Sequence, residues 1–206
     1  MMQSLFRITA VAAAVLLTGA VVFAQQQPMG GMQPNTQPQN PNAGNTGMNN
    51  MNAMGEPPMQ KMQDRAFVQD ALEGGMGEVQ LSQLAEQKGA SADVRQYGQK
   101  MVQDRTQLDN AIKQVASQIE MRPPEGPSKK DKKLYAKLST LSGTQFDQAY
   151  IKAMVKAHND DLAAFQQEAT NTQNPAIKQV AEEGAQMTRG QLEVIKQMAT
   201  DNGVKT

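Results

Sequence analysis

The sequence predicts an all-α protein, an antiparallel up-down-up-down four-helix bundle with a short extra helix between helices two and three. Three observations carry this. From Asp64 onward apolar residues recur with a period near 3.6, in four stretches of similar length. Helix-stopping residues separate the stretches: Gly89, Pro123-Pro124 and Asn174-Pro175. No two-residue alternation of strand type competes with them.

Charge divides the chain in the same way. Of the 206 residues, 20 are Lys or Arg and 20 are Asp or Glu. Up to Gly55 the only charged residue is Arg7, so 19 basic and all 20 acidic residues fall in the last 151 positions. A net charge of zero argues against a nucleic-acid binder held by bulk positive charge. The absence of cysteine excludes disulfides, thiolate metal sites and cysteine nucleophiles. His158 is the single histidine, which excludes any site built on two or three imidazoles.

Residues 1–24 read as a signal peptide. Arg7 precedes an apolar run from Ile8 to Phe23, and Val22-Phe23-Ala24 offers small residues at the two positions a signal peptidase inspects. The run falls short of the roughly 20 apolar residues that span a bilayer, so no transmembrane span is expected in the mature chain. With no cysteine there is no lipid attachment site, and a disulfide-free secreted chain suits a periplasm.

Residues 25–61 are Gln, Asn, Pro, Gly and Met with almost no aliphatic or aromatic side chain, which predicts disorder. Met48, Met51 and Met54 recur every third residue there, with Met59 and Met62 following. Thioethers are soft, neutral ligands that suit Cu(I) or Ag(I). The plain alternative is a low-complexity spacer that tolerates Met. Residues 62–206 form the bundle domain.

Helix one is expected over about 63–88, marked by Phe67, Ala71, Leu72, Val79, Leu81 and Leu84. Gly74-Gly75 inside it costs stability unless a neighbour needs close approach there. Ser91 is a fair N-cap for helix two, about 92–119, with the stripe Met101, Leu108, Ile112, Val115 and Ile119. Next comes a loop with Ser128 and a short basic helix, Lys129-Lys130-Asp131-Lys132-Lys133, of the kind that is usually a solvated face. Helix three, about 144–170, carries Phe146, Tyr150, Met154, Leu162 and Phe165. Asn174-Pro175, an N-cap before an N1 proline, opens helix four at about 175–202. Its stripe reads Ile177, Val180, Met187, Val194 and Met198, and Gly203 closes it.

Each stripe is interrupted by one polar residue. Glu78 lies one turn from Gly74 and Leu81, and Arg105 falls between Met101 and Leu108. His158 is one turn from Met154 and Leu162, and Gln191 falls between Met187 and Val194. In an antiparallel bundle the helix midpoints share one level, so these four residues are expected in one structural polar layer. A buried charge needs a partner, and Glu78 with Arg105 is the obvious pair. His158 and Gln191 would complete the hydrogen-bond network.

Several motifs in order carry a family resemblance. They are Gly75-Met76-Gly77-Glu78-Val79-Gln80-Leu81, Met101-Val102-Gln103-Asp104, Leu141-Ser142-Gly143 with Phe146-Asp147, and Met154-Val155-Lys156-Ala157-His158. Over about residues 62–202 the chain resembles a bacterial family known as domain of unknown function 4142. The resemblance implies a secreted, ferritin-like four-helix bundle, periplasmic or associated with the outer membrane, with no established activity. Members commonly carry a His after the Asp of the second motif and another in helix four, where this chain has Arg105 and Gln191. Of that ligand set Glu78 and His158 remain, with Asp161 one turn from His158, as donors for Fe, Mn, Zn or Cu. The di-iron signature needs two Glu-x-x-His pairs, and this chain has none. A cationic Arg105 would also repel a metal, so the Arg105–Glu78 pair is expected to replace one.

The functional expectation is a non-enzymatic periplasmic bundle serving in binding, stress protection or envelope organisation. No Ser-His-Asp motif, phosphate loop or zinc-protease helix is present, so no catalytic residue is assigned. The alternatives are a ferritin-like metal-binding or oxidoreductase bundle through Glu78, His158 and Asp161, or soft-metal binding through the methionines. An envelope component is the expected kind of partner.

Overall fold

The computed structural model describes residues 57–205. The expected signal peptide, most of the 25–61 segment, and Met48, Met51 and Met54 lie outside the described residues. Five helices follow in order: α1 Pro58–Lys88, α2 Ala92–Gln118, α3 Lys129–Ser139, α4 Gly143–Asn171 and α5 Pro175–Asp201. Every regular element among the described residues is a helix, and the helices form a bundle. None is long and apolar enough to cross a membrane.

Local chemistry sets most of the boundaries. The Ser91 hydroxyl accepts from the Val94 amide at 3.1 Å, capping α2. Ser128 accepts from the Asp131 amide at 3.1 Å and caps α3, the basic helix expected in that link. The Asn174 side chain accepts from the Ala176 and Ile177 amides ahead of the Pro175 start of α5. α1 starts upstream of the expected position, at Pro58, because a proline at the first helical position loses no intrahelical hydrogen bond. Met59 and Met62 therefore sit on a helix, 65% and 64% exposed, and not in the Gln/Asn-rich segment.

Long helices adjacent in sequence pack most closely. α1 packs chiefly on α2 and α4 on α5, while α3 lies against α1 with Leu138 buried. Arg65 near the start of α1 donates to the Ile119 carbonyl at 2.7 Å, just past the end of α2. Asp147 of α4 accepts from the Ala90 and Ser91 amides at 2.9 and 2.8 Å, tying the α1–α2 link to α4.

The stripes differ from their sequence reading in α5 and α1. The buried seam of α5 runs Ile177, Ala181, Gly184, Thr188, Gln191, Ile195 and Met198, in three-four spacing. Met187 is half-buried and Val194 is 54% exposed, so neither anchors the seam. The seam uses small residues because a neighbour fills the space: a Cβ on Gly184 would lie 2.5 Å from Phe165 Cε1. In α1 the seam passes through Val68, Leu72, Gly75, Glu78 and Leu81, leaving Phe67, Ala71 and Val79 half-buried.

The core falls into two apolar clusters. The first contains Leu81, Val94, Tyr97, Met101, Phe146, Tyr150, Met154 and Ile195. The second contains Val68, Leu72, Leu108, Ile112, Phe165, Ile177 and Ala181. In each long helix the two clusters are separated by the polar positions of the seam, Glu78, Arg105, His158 and Gln191.

Candidate functional site

The four residues that interrupt the stripes are all buried, His158 and Arg105 almost completely. Arg105 is the hub. Its Nη1 lies 3.1 Å from Asp161 Oδ2 and 3.6 Å from Glu78 Oε2, and its Nε lies 3.4 Å from Asp109 Oδ1. Its Nη2 donates to the Ala71 carbonyl at 3.0 Å. One guanidinium thus faces three carboxylates from three helices, using the forked donor set that only arginine provides.

His158 bridges the hub to the first cluster. Its Nδ1 lies 3.4 Å from Glu78 Oε1, and its Nε2 lies 2.8 Å from the Tyr97 hydroxyl. A proton on Nδ1 would face the Glu78 carboxylate and leave Nε2 to accept from Tyr97. The Tyr97 hydroxyl also lies 3.4 Å from the Gln191 carbonyl. A second buried hydroxyl, Tyr150, pairs with Ser82 Oγ at 3.1 Å.

The charges respond to this crowding. Burial raises the Glu78 carboxyl, but Arg105 and then His158 outweigh it and hold the group down at about 2. Burial opposes the Arg105 charge, and the three carboxylates led by Glu78 more than restore it. Asp109 is pushed up to about 6 by burial, with Arg105 opposing. Asp161 is pushed up to about 7, first by burial and then by the Glu78 carboxylate. Burial raises both tyrosine hydroxyls, which remain protonated donors.

Of the residues singled out by the stripes, Glu78 thus lies against both Arg105 and His158, with Asp161 on Arg105. Gln191 differs from its expected role. It lies at the same level, but its side chain turns to α2 and donates to Asp104 Oδ2 at 3.2 Å. Only its backbone carbonyl meets the network, through Tyr97. Two members were not anticipated, Asp109 and Tyr97. Asp109 sits one turn after Arg105 and packs onto α1 where Gly75 leaves room: a Cβ on Gly75 would lie 2.1 Å from Asp109 Oδ1. That glycine was the one available signal for Asp109.

Glu78, His158 and Asp161 each offer one ligand atom, all within 4.8 Å of one another. The donor types, two carboxylates and an imidazole, are those of Fe, Mn or Zn sites. Their fit to a resident ion fails on one point. Arg105 Nη1 already engages an oxygen of each of the two carboxylates, so an ion there would share its anionic ligands with a fixed positive charge.

Solved structures of similar fold include the following two. A DUF305 fragment from Deinococcus radiodurans matches with a TM-score of 0.60 at 16% identity, covering 68% of this chain and 96% of that one. A candidate secreted DUF305 protein from Streptomyces coelicolor matches with a TM-score of 0.61 at 14% identity, covering 69% and 94%. At that identity the likeness is one of fold. No curated protein matches the chain. The family model described as a domain of unknown function, DUF4142, matches residues 49–198, and the chain belongs to that family.

Proposed function

We propose that this is a secreted, periplasmic, non-enzymatic helical bundle, serving in binding, stress protection or envelope organisation, whose centre is locked by a guanidinium where a metal would otherwise sit. The carrying observation is the position of Arg105 Nη1, against Asp161 Oδ2 and Glu78 Oε2, the two carboxylates of the only candidate ligand trio among the described residues. An antiparallel, ferritin-like topology is supported by the short α1–α2 and α4–α5 links and by Arg65 reaching from the start of α1 to the end of α2. Export rests on Arg7, the apolar run after it and the Val22-Phe23-Ala24 site. Residues 1–24, 25–61 and 62–206 are proposed as signal, linker and bundle on the same composition boundaries, the helical start at Pro58 aside.

The test is metal analysis of untagged protein, alone and as Glu78→Ala. Far below one equivalent of Fe, Mn and Zn, unchanged in the variant, is the expected result. Close to one equivalent, lost on Glu78→Ala, would replace this reading with a metal-binding bundle using Glu78, His158 and Asp161.

A further inference from the structure

We propose that the cavity between α1 and α4 binds a small organic ammonium ion with a compact apolar body. The cavity measures about 350 Å³, at the small end of the range that holds small-molecule ligands. Two of its residues, Phe67 and Phe165, meet edge to face with their centroids 5.6 Å apart. Arg105 and Asp161 also line it. Arg105 is only 1% exposed, whereas the Asp161 side chain is 25% exposed, so Asp161 is the member of the ion-pair hub that solvent or a guest can reach.

Charge selects the class of guest. Asp70 and Asp161 line the cavity with Arg105, the one cation among its lining residues. That guanidinium is also shared with Glu78 and Asp109, so it does not neutralise both acids of the cavity. An anionic guest would meet net negative charge in a partly desolvated space, where Coulomb terms are strong. A neutral guest would bury carboxylates without compensating them. An ammonium group gains a charge-assisted hydrogen bond to a carboxylate, and an apolar body gains contact with the phenylalanines. A cation is already accommodated beside these rings, with Arg105 Cζ 5.7 Å from the Phe165 centroid.

The raised carboxyl of Asp70 agrees with this. Burial is the largest cause, followed by the neighbouring Glu73 carboxylate, so Asp70 stands to gain from an added positive charge. The inference rests on the proposed reading, since a metal ion on the trio would occupy the Asp161 carboxylate that meets the ammonium. Metal analysis reads the first directly and amine titration of metal-free protein reads the second, so the two fail separately.

The test is calorimetric titration of the protein with 2-phenylethylammonium chloride, with 2-phenylethanol and phenylacetate as neutral and anionic controls of similar shape. The ammonium ion is expected to bind at least about tenfold tighter than either control. Asp161→Asn should remove most of that advantage. Asp70→Asn, a change outside the ion-pair hub, should reduce it while the helical circular dichroism stays unchanged. Equal affinities for the amine and the alcohol, or no binding of the amine up to about 10 mM, would overturn the proposal. So would an amine preference that survives both substitutions.

Discussion

The two apolar clusters meet the polar layer in different ways. The first meets it through neutral hydrogen bonds: Tyr97 to His158, with Tyr150 and Ser82 paired alongside. The second meets it through charge, with Arg105 set over the Phe165 ring and held by Asp161 and Asp109. A neutral contact loses about the value of one hydrogen bond when cut, whereas a buried ion pair leaves a stranded charge behind. The two sides of one layer should therefore respond very differently to comparable substitutions.

The largest effect is expected on the charged side. Arg105→Ala leaves Glu78 and Asp109 buried without their cation, at a cost of about 3–5 kcal/mol in urea or thermal unfolding. Combining Arg105→Met with Glu78→Gln should recover part of that loss, because charge and countercharge leave together. An unchanged unfolding midpoint in Arg105→Ala would mean that the hub is not buried in solution.

Gly75→Ala probes the same side through packing. Its new methyl would meet the Asp109 carboxylate at a separation no real Cβ contact shows, so Asp109 must move away from Arg105. The expected cost is about 1–3 kcal/mol, measured in the same unfolding assay. On the neutral side Tyr97→Phe removes the partner of His158 Nε2 and the contact with the Gln191 carbonyl, at about 1–2 kcal/mol. A Tyr97→Phe loss equal to that of Arg105→Ala would erase the distinction between the two sides.

Acidity separates the sides further. Glu78 is held below its ordinary value, so its contribution is present above about pH 4.5 and lost as pH falls towards 2. Asp109 and Asp161 are raised, so theirs is present below the ordinary value of 3.8 and lost as pH rises through about 6 and 7. Stability should therefore peak near pH 3.5–4 and decline towards pH 7, as read from urea midpoints from pH 3 to 8. Asp109→Asn should flatten the alkaline decline more than Asp161→Asn, because Asp161 is partly exposed and screened by solvent.

The layer was legible in the sequence because a charge on an apolar stripe has nowhere to go but inward. Glu78, Arg105 and His158 each fall at three-four spacing on an otherwise uncharged stripe, and all three are buried. Asp109 was not legible: beside Leu108 and one turn after Arg105 it resembles an ordinary helix-face ion pair, and its burial depends on a glycine in another helix. The α5 seam was misplaced for a related reason. Periodicity gives the face of a helix, but Ala181, Gly184 and Thr188 carry too little hydrophobic weight to outrank Met187 and Val194. Gln191 was placed at the right level with the wrong partner, because spacing does not say which neighbour a side chain turns to.

The adjacent glycines of α1 give the finest test. Gly75 is forced by Asp109, but a Cβ on Gly74 would meet nothing within 4 Å. Both lie inside a continuous helix, and neither has the positive φ that would penalise a side chain. Glycine there carries an entropic cost without a packing reason, so Gly74→Ala should stabilise the protein by about 0.5–1 kcal/mol. The pair of substitutions would then shift the unfolding midpoint in opposite directions from neighbouring positions. A loss on Gly74→Ala as large as that on Gly75→Ala would show that the whole Gly74-Gly75 step, and not the single Asp109 contact, is what the charged side of the layer requires.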